Sequence, residues 1–204
     1  MEKNVSDKVK KSKIIFRIVM LFGFALIIIS ICTLIWWHFS INKKAENLKE
    51  YVSMISSVMP EKQNMVIEEK SDNSMPVFSA KGKDFIGLLD FVANGKTFPV
   101  CADYDDIEAY PCRKKGSIYD ASIIIGATDF GGQIDFVESI FVSDKITFTD
   151  MLGDCYSYKI VDIRYVDDTD LDLFDKNEYD LTLFIKKTYS SEYVIIGCKA
   201  AGTV

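Results

Sequence analysis

The sequence predicts a mainly β domain of short strands, carried behind one N-terminal transmembrane helix and a stalk helix. Three observations predict it. An uncharged apolar run lies near the N terminus, an amphipathic stretch follows it, and from about residue 80 short β-rich runs alternate with turn residues.

Ile18 to Trp37 reads IVMLFGFALIIISICTLIWW, with no charge. At 1.5 Å per residue, a helix of about 20 residues crosses the roughly 30 Å hydrocarbon core of a bilayer. A soluble domain of this size needs no helix that is apolar on every face. Trp36 and Trp37 close the run, where indole rings favour the headgroup region. The anchor is therefore expected over residues 14–39. Lys3, Lys8, Lys10, Lys11, Lys13 and Arg17 precede it against Glu2 and Asp7, whereas Lys43, Lys44 and Lys49 follow it, diluted by Glu46 and Glu50. The positive-inside rule puts residues 1–13 in the cytoplasm and the C-terminal domain outside it. A cleavable signal would have a shorter apolar region, of about 7–15 residues, and a small-x-small cleavage site. WWHFSINKK offers no such site, so a single-pass anchor retained in the cell membrane is expected.

Ser40 to Met59 reads as a second helix, with Ile41, Ala45, Leu48, Val52, Ile55 and Met59 alternating four and three apart. Fewer than three heptads is a weak coiled-coil signal, so the expectation is a stalk helix packed on its own domain. Pro60 stops it, and residues 60–79, with a second proline at 76, read as a linker. Residues 40–79 are thus stalk and linker, and 80–204 the folded domain.

The β-rich runs follow in order. FIGLLDF (85–91) precedes the turn ANGK and TFPVCA (97–102), then come SIIIGA (122–127), KITFTDM (145–151), CYSYKIVDIRYV (155–166), YDLTLFI (179–185) and EYVIIGC (192–198). Asn94-Gly95 and Gly153-Asp154 sit where hairpin turns need positive φ. Short strands at this spacing, with few helical patterns between them, predict an antiparallel barrel or sandwich.

Charge narrows the partners. Positions 1–44 hold 8 basic and 2 acidic residues of the chain's 24 and 30, which leaves 16 against 28, a net −12, in residues 45–204. Such a balance argues against nucleic acid as a partner and against a domain lying flat on anionic lipid. The 49% apolar and 13% aromatic content exceeds that of a disordered tail.

Cys32 lies in the membrane run, and Cys101, Cys112, Cys155 and Cys198 lie beyond it. No CxxC pair occurs and the one histidine is His38, so neither a zinc site nor a cofactor is expected. An extracytoplasmic setting permits disulfides, and Cys101 and Cys112 are the nearest pair in sequence, but spacing alone leaves the connectivity open. Asp168, Asp170 and Asp172 alternate as at the start of a calcium loop. The sixth position is Leu173 rather than Gly and the twelfth is Tyr179 rather than Glu, so no metal is expected there. Thr169 or Asp170 reads instead as the N-cap of a short helix.

Four segments, in order, resemble the sortase family, closest to its class-B-like group in Gram-positive Firmicutes, over about residues 84–200. They are FIGLLDF…GKTFPV at 85–100, YPCRKKGS at 110–117, IIIGATDFGGQIDFVESIFVSDKITFTD at 123–150, and YDLTLFIKK at 179–187 with EYVIIGC at 192–198. The resemblance implies a closed β-barrel with short helices behind an anchor and a stalk helix. It also implies the family's chemistry, in which a cysteine thiolate attacks the Thr–Gly bond of a Leu-Pro-x-Thr-Gly-like sorting signal. An amine on the cell wall or on a pilin then resolves the acyl-enzyme. Such a reaction needs a thiol, a histidine to move its proton and a cation for the oxyanion.

Carried over residue by residue, these roles come out empty. The family's histidine position falls on Thr128, or on Ala127 with a one-residue slip; its cysteine position falls on Lys186; its arginine position falls on Tyr193, or on Glu192 with a slip. His38 lies outside the domain, and Cys198 is five residues beyond Tyr193, roughly 17 Å along a strand. The Pro-Cys-Arg segment already accounts for Cys112. Lys186, beside Lys187, would need a desolvated site to serve as a nucleophile. The aromatic residues Tyr104, Tyr110, Tyr119, Phe130 and Phe136 are placed near the walls of the family's groove, where half-buried strand aromatics are the ordinary reading.

The resemblance therefore implies a degenerate, catalytically inactive sortase with no intact catalytic residues. Its partners would be a sorting-signal-bearing surface protein, a pilin or an active sortase. Two alternatives stand beside it: an active transpeptidase using non-standard residues, and a barrel repurposed for adhesion or sensing.

Overall fold

From Glu2 to Val58 the chain forms one helix, α1, where the sequence reading has two. The residues that join the two expected helices, His38, Phe39, Ser40 and Ile41, include no Gly or Pro, so nothing interrupts the backbone ladder before Pro60. The computed structural model describes residues 2–61, 63–64, 74–167 and 178–201. These fall into two compact units, 1–42 and 43–204. In the first, α1 is long and apolar enough from Phe16 onward to cross a membrane, and its large side chains are exposed all round the helix.

The second unit is built on ten strands: β1 (Gln63–Asn64), β2 (Phe78–Ala80), β3 (Lys83–Phe91), β4 (Lys96–Cys101), β5 (Cys112–Lys115), β6 (Ile123–Thr128), β7 (Lys145–Asp150), β8 (Asp154–Asp167), β9 (Leu181–Lys186) and β10 (Glu192–Ala200). Eight of them close into a ring in the order β3-β4-β5-β6-β9-β10-β8-β7, with β7 pairing back onto β3. β2 adds to β3 and β1 to β8.

The ring departs from the expected antiparallel one in two joints. β4 meets β5 in parallel, and β6 meets β9 in parallel from Ile123↔Leu181 to Thr128↔Lys186. A parallel pair needs a long crossover, and here β7 and β8, on the far side of the ring, supply it between β6 and β9. β1, β2 and β5 were not among the expected strands. β5 reads Cys-Arg-Lys-Lys with Cys112 alone buried, so it shows no alternation to detect, β1 is two residues long inside the expected linker, and β2 is three residues long at its end. Gly95 and Gly153 both hold positive φ, at 61° and 86°, although Gly95 caps a 3-10 turn (Val92–Asn94) rather than a two-residue hairpin loop.

Strand alternation sorts the side chains into two cores. Inside the ring, Leu89, Phe91, Ile125, Phe148, Tyr158, Leu183 and Ile196 interlock, as side chains fill a barrel of eight strands. Outside it, Leu48, Tyr51 and Ile55 of α1 cover Phe85, Leu88, Cys101, Tyr110 and Cys112. The Tyr51 ring lies 4.8 Å from that of Phe85 and meets Tyr110 edge-on at 5.4 Å. The segment Lys43–Val58 of α1 is thereby part of the fold of this unit.

Candidate functional site

On β9, Leu181, Leu183 and Ile185 point into the barrel, which turns Thr182, Phe184 and Lys186 to its outer face. The same alternation turns Ile124, Gly126 and Thr128 outward on β6, and Tyr193, Ile195 and Gly197 outward on β10. Register then sets these residues in rows. Lys186 pairs with Thr128 on one side and with Tyr193 on the other. Behind that row lies Gly126–Phe184–Ile195, and behind it Ile124–Thr182–Gly197. Adjacent strands run about 4.8 Å apart, so Thr128 and Tyr193 flank Lys186 closely. The one-residue slips fall on the other parity: Ala127 lies in the barrel core, and Glu192 is the pairing partner of Asp167.

Phe184 floors the site. It is buried, with the rings of Tyr104 and Tyr193 centred 6.1 and 6.0 Å away and Lys114 Nζ 5.0 Å above it. Gly126 makes room for this arrangement. A Cβ there would lie 2.9 Å from Ile107 Cδ1 and equally close to the Phe184 ring, so a side chain would have to displace one or the other. Burial, with Tyr193 nearby, pushes the Tyr104 phenol up from its usual pKa.

Thr128 is buried and committed to local bonds. Its backbone N–H donates to Gln133 Oε1 at 3.3 Å, and its hydroxyl lies 3.4 Å from the Phe130 carbonyl. Gln133 in turn donates to the Ile107 carbonyl at 3.0 Å. Next to it, Asp129 accepts from both the backbone N–H and the hydroxyl of Thr188, which ties down the β9–β10 connection. Lys186 is exposed, whereas its neighbour Lys187 donates to Glu138 at 2.7 Å. That hydrogen bond holds the Glu138 carboxyl below its usual range and the Lys187 ammonium above its own.

The row thus offers a hydroxyl bonded to a carbonyl, an ammonium and a phenol. None is a thiolate, and an ammonium donates hydrogen bonds but accepts none. The chain's one histidine, His38, belongs to the other unit. Cys198 is sealed inside the barrel, where burial pushes its thiol up. Cys101 and Cys112 lie beneath α1, and Cys155 stands at the start of β8 opposite Thr149. Among the described residues, no three His, Cys, Asp or Glu side chains converge as metal ligands would. The Asp168–Asp172 stretch and the Thr169 or Asp170 cap lie outside the described residues.

Of the aromatics expected at the groove, Tyr104 stands beside the row and Phe130 follows Thr128, its ring 6.5 Å from that of Tyr189. The others do not. Tyr110 is under α1, Tyr119 donates from inside the fold to Asp150 at 2.7 Å, and Phe136 packs on Phe91 and Phe98 of the core. Phe184 and Gly126 escaped the sequence reading. The signal for Phe184 lay in Thr182-x-Phe184-x-Lys186, alternate residues of one strand with an aromatic residue between two polar ones.

No protein-family model matches the chain, and no curated protein matches it. Solved structures do. The chain is similar to sortase C1 of GBS pilus island 1, at 16% identity and a TM-score of 0.50, over 81% of this chain and 85% of that one. It is also similar to a lid mutant of sortase A from Corynebacterium diphtheriae, at 15% identity and a TM-score of 0.50, over 60% of this chain and 73% of that one. The likeness is one of architecture: a closed eight-stranded barrel with a long apolar N-terminal helix, the sortase-like fold.

Proposed function

We propose that this chain is a membrane-anchored sortase-like protein that has lost transpeptidase chemistry and serves as a binding or scaffolding component in surface-protein or pilus assembly. The N terminus lies in the cytoplasm and the barrel on the outer face of the membrane, an orientation supported by the excess of lysine before the anchor. A class-B-like affinity and a Gram-positive source rest on the order of the four resembling segments.

The observation that carries this reading is the outer-face row Thr128–Lys186–Tyr193. The segment resemblance assigns histidine, cysteine and arginine to these three positions. Acyl transfer by that route requires a thiolate, its proton carrier and an oxyanion cation within reach of one another. Here the first position is a hydroxyl already bonded within the chain, the second an exposed ammonium and the third a phenol packed toward Phe184. Such a row suits holding a ligand, with Lys186 pairing carbonyl or carboxylate oxygens and the half-buried rings of Tyr104 and Tyr193 offering apolar surface beside it.

The test is to incubate the full chain in detergent micelles with a Leu-Pro-x-Thr-Gly-type peptide and an amine. The expected result is no cleavage and no amide product by mass spectrometry. Turnover that disappears in Lys186→Ala would overturn the reading. Cross-linking in intact cells addresses the role, with recovery of a sorting-signal protein, a pilin or an active sortase expected. Recovery of none of these would favour adhesion or sensing.

A further inference from the structure

We propose that Cys101 and Cys112 are a disulfide site, and that their bond locks the loop forming one wall of the outer-face site. The two residues are register partners on the parallel strands β4 and β5. Neighbouring strands lie about 4.8 Å apart, inside the Cα separation of about 4.4–6.8 Å that a disulfide spans. Both side chains belong to the cluster on the outer side of the barrel, beneath Tyr51 and Ile55 of α1. Both are free thiols here, and a hydrogen bond between them pulls Cys101 down in pKa and pushes Cys112 up.

Of the pairs these four cysteines could form, the barrel wall leaves Cys101 with Cys112. Cys198 points inside the ring, and Cys155 sits at the start of β8 against β7. Neither reaches Cys101 or Cys112.

In the reaction two S–H bonds break and one S–S bond forms. The two electrons and two protons pass to a low-molecular-weight disulfide of the glutathione class, or to the disulfide of a thiol oxidoreductase, whose own S–S bond breaks to give two thiols. Burial of both sulfurs means that exchange proceeds when the Lys43–Val58 segment opens, and that the closed fold then shields the bond from reductant.

The loop so closed carries Tyr104, which packs on Phe184, and Ile107, which packs over Gly126. It is already held at its middle, where Asp106 accepts from Lys83 at 2.5 and 2.6 Å. A bond across its base removes the remaining freedom of that wall. This inference stands on the barrel geometry and is independent of whether the row beside it binds peptide.

The test equilibrates the full chain, in detergent micelles, with glutathione buffers from reducing to oxidising. Free thiols are then alkylated under denaturing conditions and mapped by mass spectrometry. Expected are a Cys101–Cys112 linked peptide in the oxidising buffer, a Tm higher by about 5–10 °C than in the reducing one, and slower amide exchange over residues 102–111. The rise should vanish in C101A and in C112A and persist in C155A. Alkylation of both thiols after oxidation, linkage to Cys155, to Cys198 or between chains, or a linked form with no rise in Tm would each overturn the proposal.

Discussion

Replacing Ile55 by Ala tests whether the end of α1 is structurally part of the barrel. Ile55 is fully buried, with Tyr51, Phe85 and Tyr110 in the same cluster. The substitution removes about three carbons, worth about 0.8 kcal/mol each, or about 2.4 kcal/mol of transfer free energy. A cavity term adds to this, because the three rings brace one another, with centroids 4.8, 5.4 and 5.7 Å apart, and resist collapse into the gap. The total is about 3 kcal/mol, within the range of about 2–5 kcal/mol for such truncations. In a folded unit of this size that lowers Tm by about 6–12 °C. Near-UV circular dichroism of the full chain in detergent, followed during heating, reads the shift. Val58→Ala is the control on the same helix, since Val58 is 54% exposed and its truncation should cost no more than about 0.5 kcal/mol. Equal Tm values for the two variants would refute the packing of α1 on β3–β5.

Gly197→Ala would set a Cβ 2.6–2.7 Å from the Tyr179 ring and strain the bonds from its hydroxyl to Asp162 and from Arg164 to it. A loss of about 1–3 kcal/mol in urea denaturation is expected, and unchanged stability would contradict that contact. Asp129→Ala removes the acceptor for both Thr188 donors, so amide exchange over residues 187–191 should accelerate while global stability changes by about 1 kcal/mol or less. Protection left intact in this variant would count against the tether. The Glu138 carboxyl, held down by Lys187, contributes its full share above the unfolded carboxylate pKa of about 4.3 and loses it as pH falls through the lower folded value. NMR titration should show that midpoint returning toward the ordinary value in Lys187→Met; an unmoved midpoint would argue against the pair.

Local pattern made some of this fold readable and hid the rest for identifiable reasons. Ile123-Ile124-Ile125, Leu181 to Ile185 and Val194 to Ile196 announce strands because β-branched and large apolar residues fill both faces where a strand is covered on each side. Arg113-Lys114-Lys115 conceals a strand because its outward side chains are charged. The parallel joint between β6 and β9 involves segments more than fifty residues apart, and no property of either segment states its direction of pairing. Counting along resembling segments named Thr128, Lys186 and Tyr193, but their side-by-side register belongs to the assembled sheet. Phe184 was assigned to a strand without a role, because only the outer packing of Tyr104 and Lys114 reveals that its face is covered.

The closure of β7 onto β3 has a further consequence. A sheet with a free border can capture an extended polypeptide by lending it backbone hydrogen bonds, a mode largely indifferent to the captured sequence. Along β9 the ring has no such border, since β6 pairs with it on one side and β10 on the other, and the strands added to the ring, β1 and β2, are two and three residues long. Anything that docks on the outer face of β9 is therefore read by side chains rather than by main chain. Those that point outward can be exchanged without disturbing those that point inward, so specificity can be rewritten while the ring stays closed.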